Sequence, residues 1–193
     1  MPSPSIQARD FLSNVAHVFG NACTFESSLT ATDDDAGTAS QAAAVIILGN
    51  ATQNEGHGYW KNVLRYYTSG KGCKPAVTAD RLACYLKIVS SMSRVFNEAN
   101  DASTFQLAES IFDTSGKKEM KEIFDVQLLA VWLNFANGAL DWKELVDTNG
   151  DKTPDTIFVD AVATIETKRL DPNTGRSQLE QLKSTLESWT SIK

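Results

Sequence analysis

Between Val126 and Ala136 the chain reads VQLLAVWLNFA, with no charge and only Gln127 and Asn134 polar. At helical periodicity such a run is apolar on every side, so it is stable only when protein surrounds it. Its lead-in from Lys117 is an ordinary charged helix, with Met120, Ile123 and Phe124 at helical spacing. The apolar part falls short of the roughly 20 residues needed to cross a bilayer, and Asn137-Gly138 supplies a left-handed stop. The segment 117–137 therefore predicts the central helix of a soluble bundle, with no membrane span.

The 193 residues suit one well-buried domain. The fold class expected is all-α: a single-domain bundle of about seven to eight helices around the central one, spanning 1–193. Residues 1–57 are read as N-terminal helices and an acidic loop. Ile6 to Phe19 has helical spacing, CTFESSLTATDDDAGT (23–38) is rich in loop-forming residues, and Ser40 to Leu48 reads as a short buried helix because alanine runs favour helix. Residues 58–193 form the remaining helical region, with helices expected through Tyr67, from Thr78 to Asn97, from Thr104 to Phe112, in a short piece to Val146, from Pro154 to about Arg169 and from Ser177 to Trp189. No strand-like alternation of useful length is visible.

A net charge of -6 argues against nonspecific nucleic-acid binding. The charge is uneven: Gly58 to Val95 carries Lys61, Arg65, Lys71, Lys74, Arg81, Lys87 and Arg94 against Asp80 alone. That segment either complements the acidic remainder of the chain or offers a basic face to an anionic partner, such as an acidic glycan or a neighbouring subunit. The three cysteines, Cys23, Cys73 and Cys84, match no metal or redox spacing. Either all are thiols or one pair is bonded. In an oxidising compartment Cys73, in a turn, and Cys84, early in the next helix, are the expected pair, with Cys23 bonded to either as the rival. No signal peptide is visible, which fits a cytosolic chain or a form whose leader has been removed. Asn50-Ala51-Thr52 is a glycosylation sequon, and places Asn50 on an exposed turn.

One loop has metal-binding character. DTNGDKTPD places the oxygens of Asp147, Asn149, Asp151 and Asp155 at positions one, three, five and nine, with the Thr153 carbonyl at position seven. A tightly wound loop turns alternate residues inward, and calcium takes six to eight oxygens. The pattern resembles the short aspartate-rich calcium loops of thrombospondin type 3 repeats and dockerins. It departs from them at Lys152, where glycine is usual, and at Phe158, where an acid closes the shell. Such a site implies affinity on the order of 10⁻³ to 10⁻⁵ M. Read without a metal, the same residues make a turn and a helix start, with Thr153 as cap and Pro154 at the first helical position.

Gly56-His57-Gly58-Tyr59-Trp60-Lys61-Asn62 opens the basic segment. Tyr59, Trp60 and Arg65 are candidate ligand-binding residues, a stacking platform and a cation for a glycan or small planar ligand; read structurally, Trp60 is a core anchor. Together with the later QLLAVWLNFANGA (127–139), the GYWKN block resembles a family of secreted bacterial and archaeal surface proteins that carry a GYWKN-type signature and a downstream QLLAAxLN-type helix. Val63 stands where members often have a histidine. The resemblance spans Gly58 to the C-terminus and implies an extracellular or cell-surface setting without implying a reaction. No nucleophile elbow, HExxH, phosphate loop or dinucleotide fingerprint is present. The expected function is a non-enzymatic surface, matrix or filament module that self-associates and carries a calcium loop. A glycan or small-ligand binding domain is the alternative, and a hydrolase using a carboxylate pair the more distant one.

Overall fold

In the computed structural model, which describes residues 23–32, 37–116 and 119–191, the all-round apolar run lies within a helix buried by protein on all sides. This helix (Met120–Asn137) is the fourth α-helix of the described chain, and every residue from Phe124 to Ala136 is buried. The Glu119 backbone N–H donates to the Glu122 carboxylate at 2.7 Å to start it. Gly138, at φ 85°, ends it in the left-handed region that glycine adopts without cost.

The surrounding helices are α1 (His57–Ser69), α2 (Ala79–Met92), α3 (Phe105–Phe112), α5 (Phe158–Leu170) and α6 (Arg176–Thr190), with the central helix as α4. A five-residue π-helix, Val95–Ala99, follows α2. Helix α6 makes the most extensive helix–helix contact with α4, and α1, α2 and α3 cover its other sides. The protein is thus mostly helical, with one core built from all of these elements. Among the described residues no helix is long and apolar enough to cross a membrane.

The N-terminal part differs from expectation. Residues read as a loop and a short helix are two strands, β1 (Cys23–Thr32) and β2 (Thr38–Ile47), paired antiparallel with Cys23 opposite Ile47 and Thr32 opposite Thr38. The alanine run favours helix on its own, but it continues into the β-branched Val45, Ile46 and Ile47. Ladder pairing with a Ser/Thr-rich partner then overrides the local preference. The helix expected over Ile6 to Phe19 lies outside the described residues.

Two attachments fix the ribbon to the helices. Cys23 is bonded to Cys84 of α2, with Cα atoms 4.7 Å apart. This corrects the expected Cys73–Cys84 pair: the face of α2 that carries Cys84 packs against β1, whereas Cys73 is an exposed thiol in the turn before α2. At the other strand, the Gly49 N–H donates to the Ala136 carbonyl and the Ala51 N–H to the Asn137 carbonyl, both at 2.9 Å. The chain crosses the end of α4 backbone to backbone. A Cβ on Gly49 would collide with the Asn137 carbonyl, and one on Gly138 with the Gly49 carbonyl.

Two further boundaries shift. The short helix expected before Val146 is a turn leading to β3 (Leu145–Val146), which pairs antiparallel with β4 (Thr156–Ile157). Helix α5 starts at Phe158 rather than Pro154, because Asp155 N–H and Phe158 N–H donate to the Val146 and Glu144 carbonyls and hold the intervening residues extended.

Candidate functional site

Strands β3 and β4 close the neck of the 147–155 loop. Within it, Asp147 accepts from the Asn149 and Gly150 N–H groups through Oδ1 (3.0 and 2.7 Å) and from the Lys152 N–H through Oδ2 (2.7 Å). Asn149 Oδ1 accepts from the Asp151 N–H at 2.8 Å, and Asp151 Oδ1 from the Thr153 N–H at 2.7 Å. Side-chain oxygens at alternate positions thus wind the backbone inward. Lys152 takes φ 67°, and among the described residues it is the only non-glycine with positive φ. Position six of the loop therefore has the backbone conformation for which glycine is the usual choice.

Asp155 is engaged by threonines at the neck of the loop. Its Oδ1 accepts from the hydroxyls of Thr156 (2.7 Å) and Thr148 (2.8 Å), which hold its carboxyl below the usual aspartate range. Phe158 is in the core, so no acid occupies position twelve. Among the described residues no three or more His, Cys, Asp or Glu side chains are gathered in a way that could hold a metal ion. A cation here therefore needs Asn149, the Thr153 carbonyl and water beside the carboxylates. Thr153 and Pro154 do not cap a helix, because α5 begins four residues after Pro154. The loop is anchored from below by the Trp189 indole N–H, which donates to the Asp147 carbonyl at 2.8 Å. Between them lies a cleft of about 220 Å³, walled by Leu140, Val146, Pro154 and Trp189.

The three candidate ligand residues do not form one surface. Trp60 is fully buried, and its indole N–H donates to Asn134 Oδ1 at 3.1 Å. It is a core anchor and offers no ring face to a ligand, which corrects its assignment to a stacking platform. Tyr59 is half-buried and meets the Trp60 ring edge-on at 5.1 Å. Burial raises the Tyr59 hydroxyl above the usual phenol range, and the nearby Glu55 carboxylate raises it further. Arg65 is exposed and lines a different cleft, with Lys61 of α1 and Gln106 and Glu109 of α3. Val63, at the position where the surface proteins often carry histidine, is buried in the core. His57, the neighbouring histidine, is exposed, with Nδ1 3.3 Å from Gln127 Nε2.

The polar groups with the strongest geometric constraints lie in the core. Asn134 of α4, fully buried, accepts from the Glu55 N–H at 2.9 Å and donates to the Glu55 carbonyl at 2.8 Å, besides binding Trp60. Glu166 of α5 accepts from the Ser93 hydroxyl, the Arg94 N–H and the Trp132 indole N–H. Asp125 forms a bidentate pair with Arg169, both bonds at 2.7 Å, and Asn100 adds a third donor. The polar interruptions Gln127 and Asn134 in an apolar run were the visible signal for one of these. The others needed partners distant in sequence.

No known relative emerges: no family model, curated protein or solved structure matches the chain. The reading of function therefore rests on the site geometry and on the two resembling motifs.

Proposed function

We propose that this chain is a non-enzymatic extracellular or cell-surface module that associates with copies of itself through the β1–β2 ribbon. The observation that carries the reading is the composition and position of that ribbon. Its ten-residue strands extend roughly 33 Å, and among the described residues neither outer edge pairs with a third strand. Of the residues in the two strands, Glu26 alone ionises, and there is no proline or glycine. Open edges in monomeric proteins are normally blunted by charge, proline or bulges, and an isolated two-stranded ribbon is marginal in water. Edge-to-edge pairing with a second copy satisfies one edge of each ribbon, and a copy on either side satisfies both. The Cys23–Cys84 bond suits an oxidising compartment, and the GYWKN-type resemblance supports the same setting.

The 147–155 loop is proposed to take calcium as structural trim, supported by its inward-wound Asp147, Asn149 and Asp151 and by the glycine-like backbone at Lys152. A glycan-binding platform at Tyr59, Trp60 and Arg65 has less support, since Trp60 is buried and Arg65 lines another cleft.

Light scattering on the full chain across a concentration series, with and without EDTA, tests the assembly. Lysines at Thr32 and Thr38, which face each other across the ribbon, should lower the associated fraction. A chain that stays monomeric at every concentration, with calcium and without, refutes the reading.

A further inference from the structure

We propose that Asn50 is an acceptor for an N-linked saccharide. Asn50-Ala51-Thr52 is the only Asn-Xaa-Ser/Thr triplet in the chain, and it lies in the irregular segment between β2 and α1. The backbone here is held on both sides of the asparagine, Gly49 to the Ala136 carbonyl and Ala51 to the Asn137 carbonyl. Gly49 faces inward so closely that a Cβ would strike the backbone of Asn137. Side chains of an extended chain alternate in direction. Asn50 and Thr52 therefore share the outward side, and both are exposed. That face leaves room for a bulky saccharide on the asparagine while the hydroxyl that completes the triplet stays accessible beside it. A glycan there disturbs neither the Gly49–Asn137 crossing nor the core.

The chemistry needs a saccharide carried on a lipid phosphate as donor. A transferase joins Asn50 Nδ2 to the anomeric carbon; the carbon–oxygen bond to the phosphate breaks, the amide loses one proton, and the lipid phosphate leaves with the bonding electrons. The inference rests on the extracellular half of the proposed function and is independent of self-association. The redox state of Cys23–Cys84 in the same sample reports whether the chain passed through an oxidising compartment.

The test is intact-mass and peptide mass spectrometry of the full chain exported by a host with an N-glycosylation pathway, beside Asn50→Gln, Thr52→Ala and Thr52→Ser. The expected result is added mass on the peptide containing Asn50, lost in Asn50→Gln and Thr52→Ala and kept in Thr52→Ser. Light scattering on the same samples keeps assembly separate, since the unglycosylated variants should associate as before. Recovery of the chain at its sequence mass overturns the proposal, whether or not Cys23 and Cys84 are bonded, as does modification confined to other residues.

Discussion

The indole N–H of Trp132 donates to Glu166 Oε1 at 2.9 Å, joining the middle of the central helix to α5. Glu166 is 2% exposed, and its partners Ser93 and Arg94 come from the chain just after α2. One buried carboxylate thus ties three elements together. Such a group is stable only while its donors remain, because a buried acceptor left without a partner keeps its full desolvation cost.

Two substitutions separate packing from hydrogen bonding at this point. Trp132→Ala should destabilise by roughly 3 to 5 kcal/mol through the cavity it leaves. Trp132→Phe keeps most of the volume, removes one donor from Glu166 and should cost about 1 to 3 kcal/mol. Denaturant unfolding of both variants is the measurement. Equal losses would mean that the indole hydrogen bond, which both variants lose, dominates the cost; a Trp132→Phe variant as stable as the wild type would mean that the indole N–H contributes little beside the ring.

Stability should also respond to pH through Asp125. Burial raises its carboxyl above the usual range, with Arg169 and Asn100 pulling it back. The native state therefore holds this proton more tightly than the unfolded chain does. The resulting stabilisation is full below the unfolded aspartate value of about 4 and is lost as pH rises through the folded value. Measured against Asp125→Asn, the stability of the wild-type protein should fall between acid and neutral pH. A difference that instead grows toward neutrality would show that the Arg169 charge outweighs burial.

Removing the disulfide should be costly. The Cys23–Cys84 bond spans 61 positions of sequence, for which chain-entropy reasoning gives about 4 kcal/mol. Cys84→Ser should lower the melting temperature substantially, whereas Cys73→Ser, on an exposed thiol, should leave it unchanged. Non-reducing peptide mapping identifies the bonded pair directly, and recovery of a Cys73–Cys84 peptide would contradict the structure.

Calcium provides the fourth measurement. If the loop takes the ion, calcium at roughly 100 times its dissociation constant stabilises the native state by about 2.7 kcal/mol, because the unfolded chain does not present the same oxygens. Asp151→Ala should abolish the resulting shift in melting temperature. A melting curve unchanged by saturating calcium, in the monomer and in any assembly, would leave the loop as a wound turn stabilised by its own hydrogen bonds.

The helical body was legible because burial of α4 demanded it: a run apolar on every side has no stable place except the centre. Gln127 and Asn134 were visible as exceptions, but only the fold brings Glu55 and Trp60 to Asn134. Strand β2 was hidden by its alanines, whose local preference is opposite to what the ladder with β1 imposes. The disulfide was misread for a related reason. Short sequence separation favoured Cys73, while the contact that selects Cys23 exists only once β1 is recognised as a strand lying on α2. In the 147–155 loop the alternating oxygens were plain from spacing, but the engagement of Asp155 by the hydroxyls of Thr148 and Thr156 was not something spacing alone could rank.

The ribbon's two attachments also determine how the molecule carries load. Because Cys23 is covalently joined to α2 and Gly49 is hydrogen-bonded to the end of α4, a pull on the ribbon reaches the helical body at two points instead of through a single hinge. The covalent point shields the chain between Cys23 and Cys84, including both strands and α1, from being drawn out in line. Traction on β2 instead peels the Gly49–Ala136 and Ala51–Asn137 hydrogen bonds in turn. In an array of such subunits the weak element under tension would be this short non-covalent seam, while the disulfide keeps the arm attached and in place to re-form it.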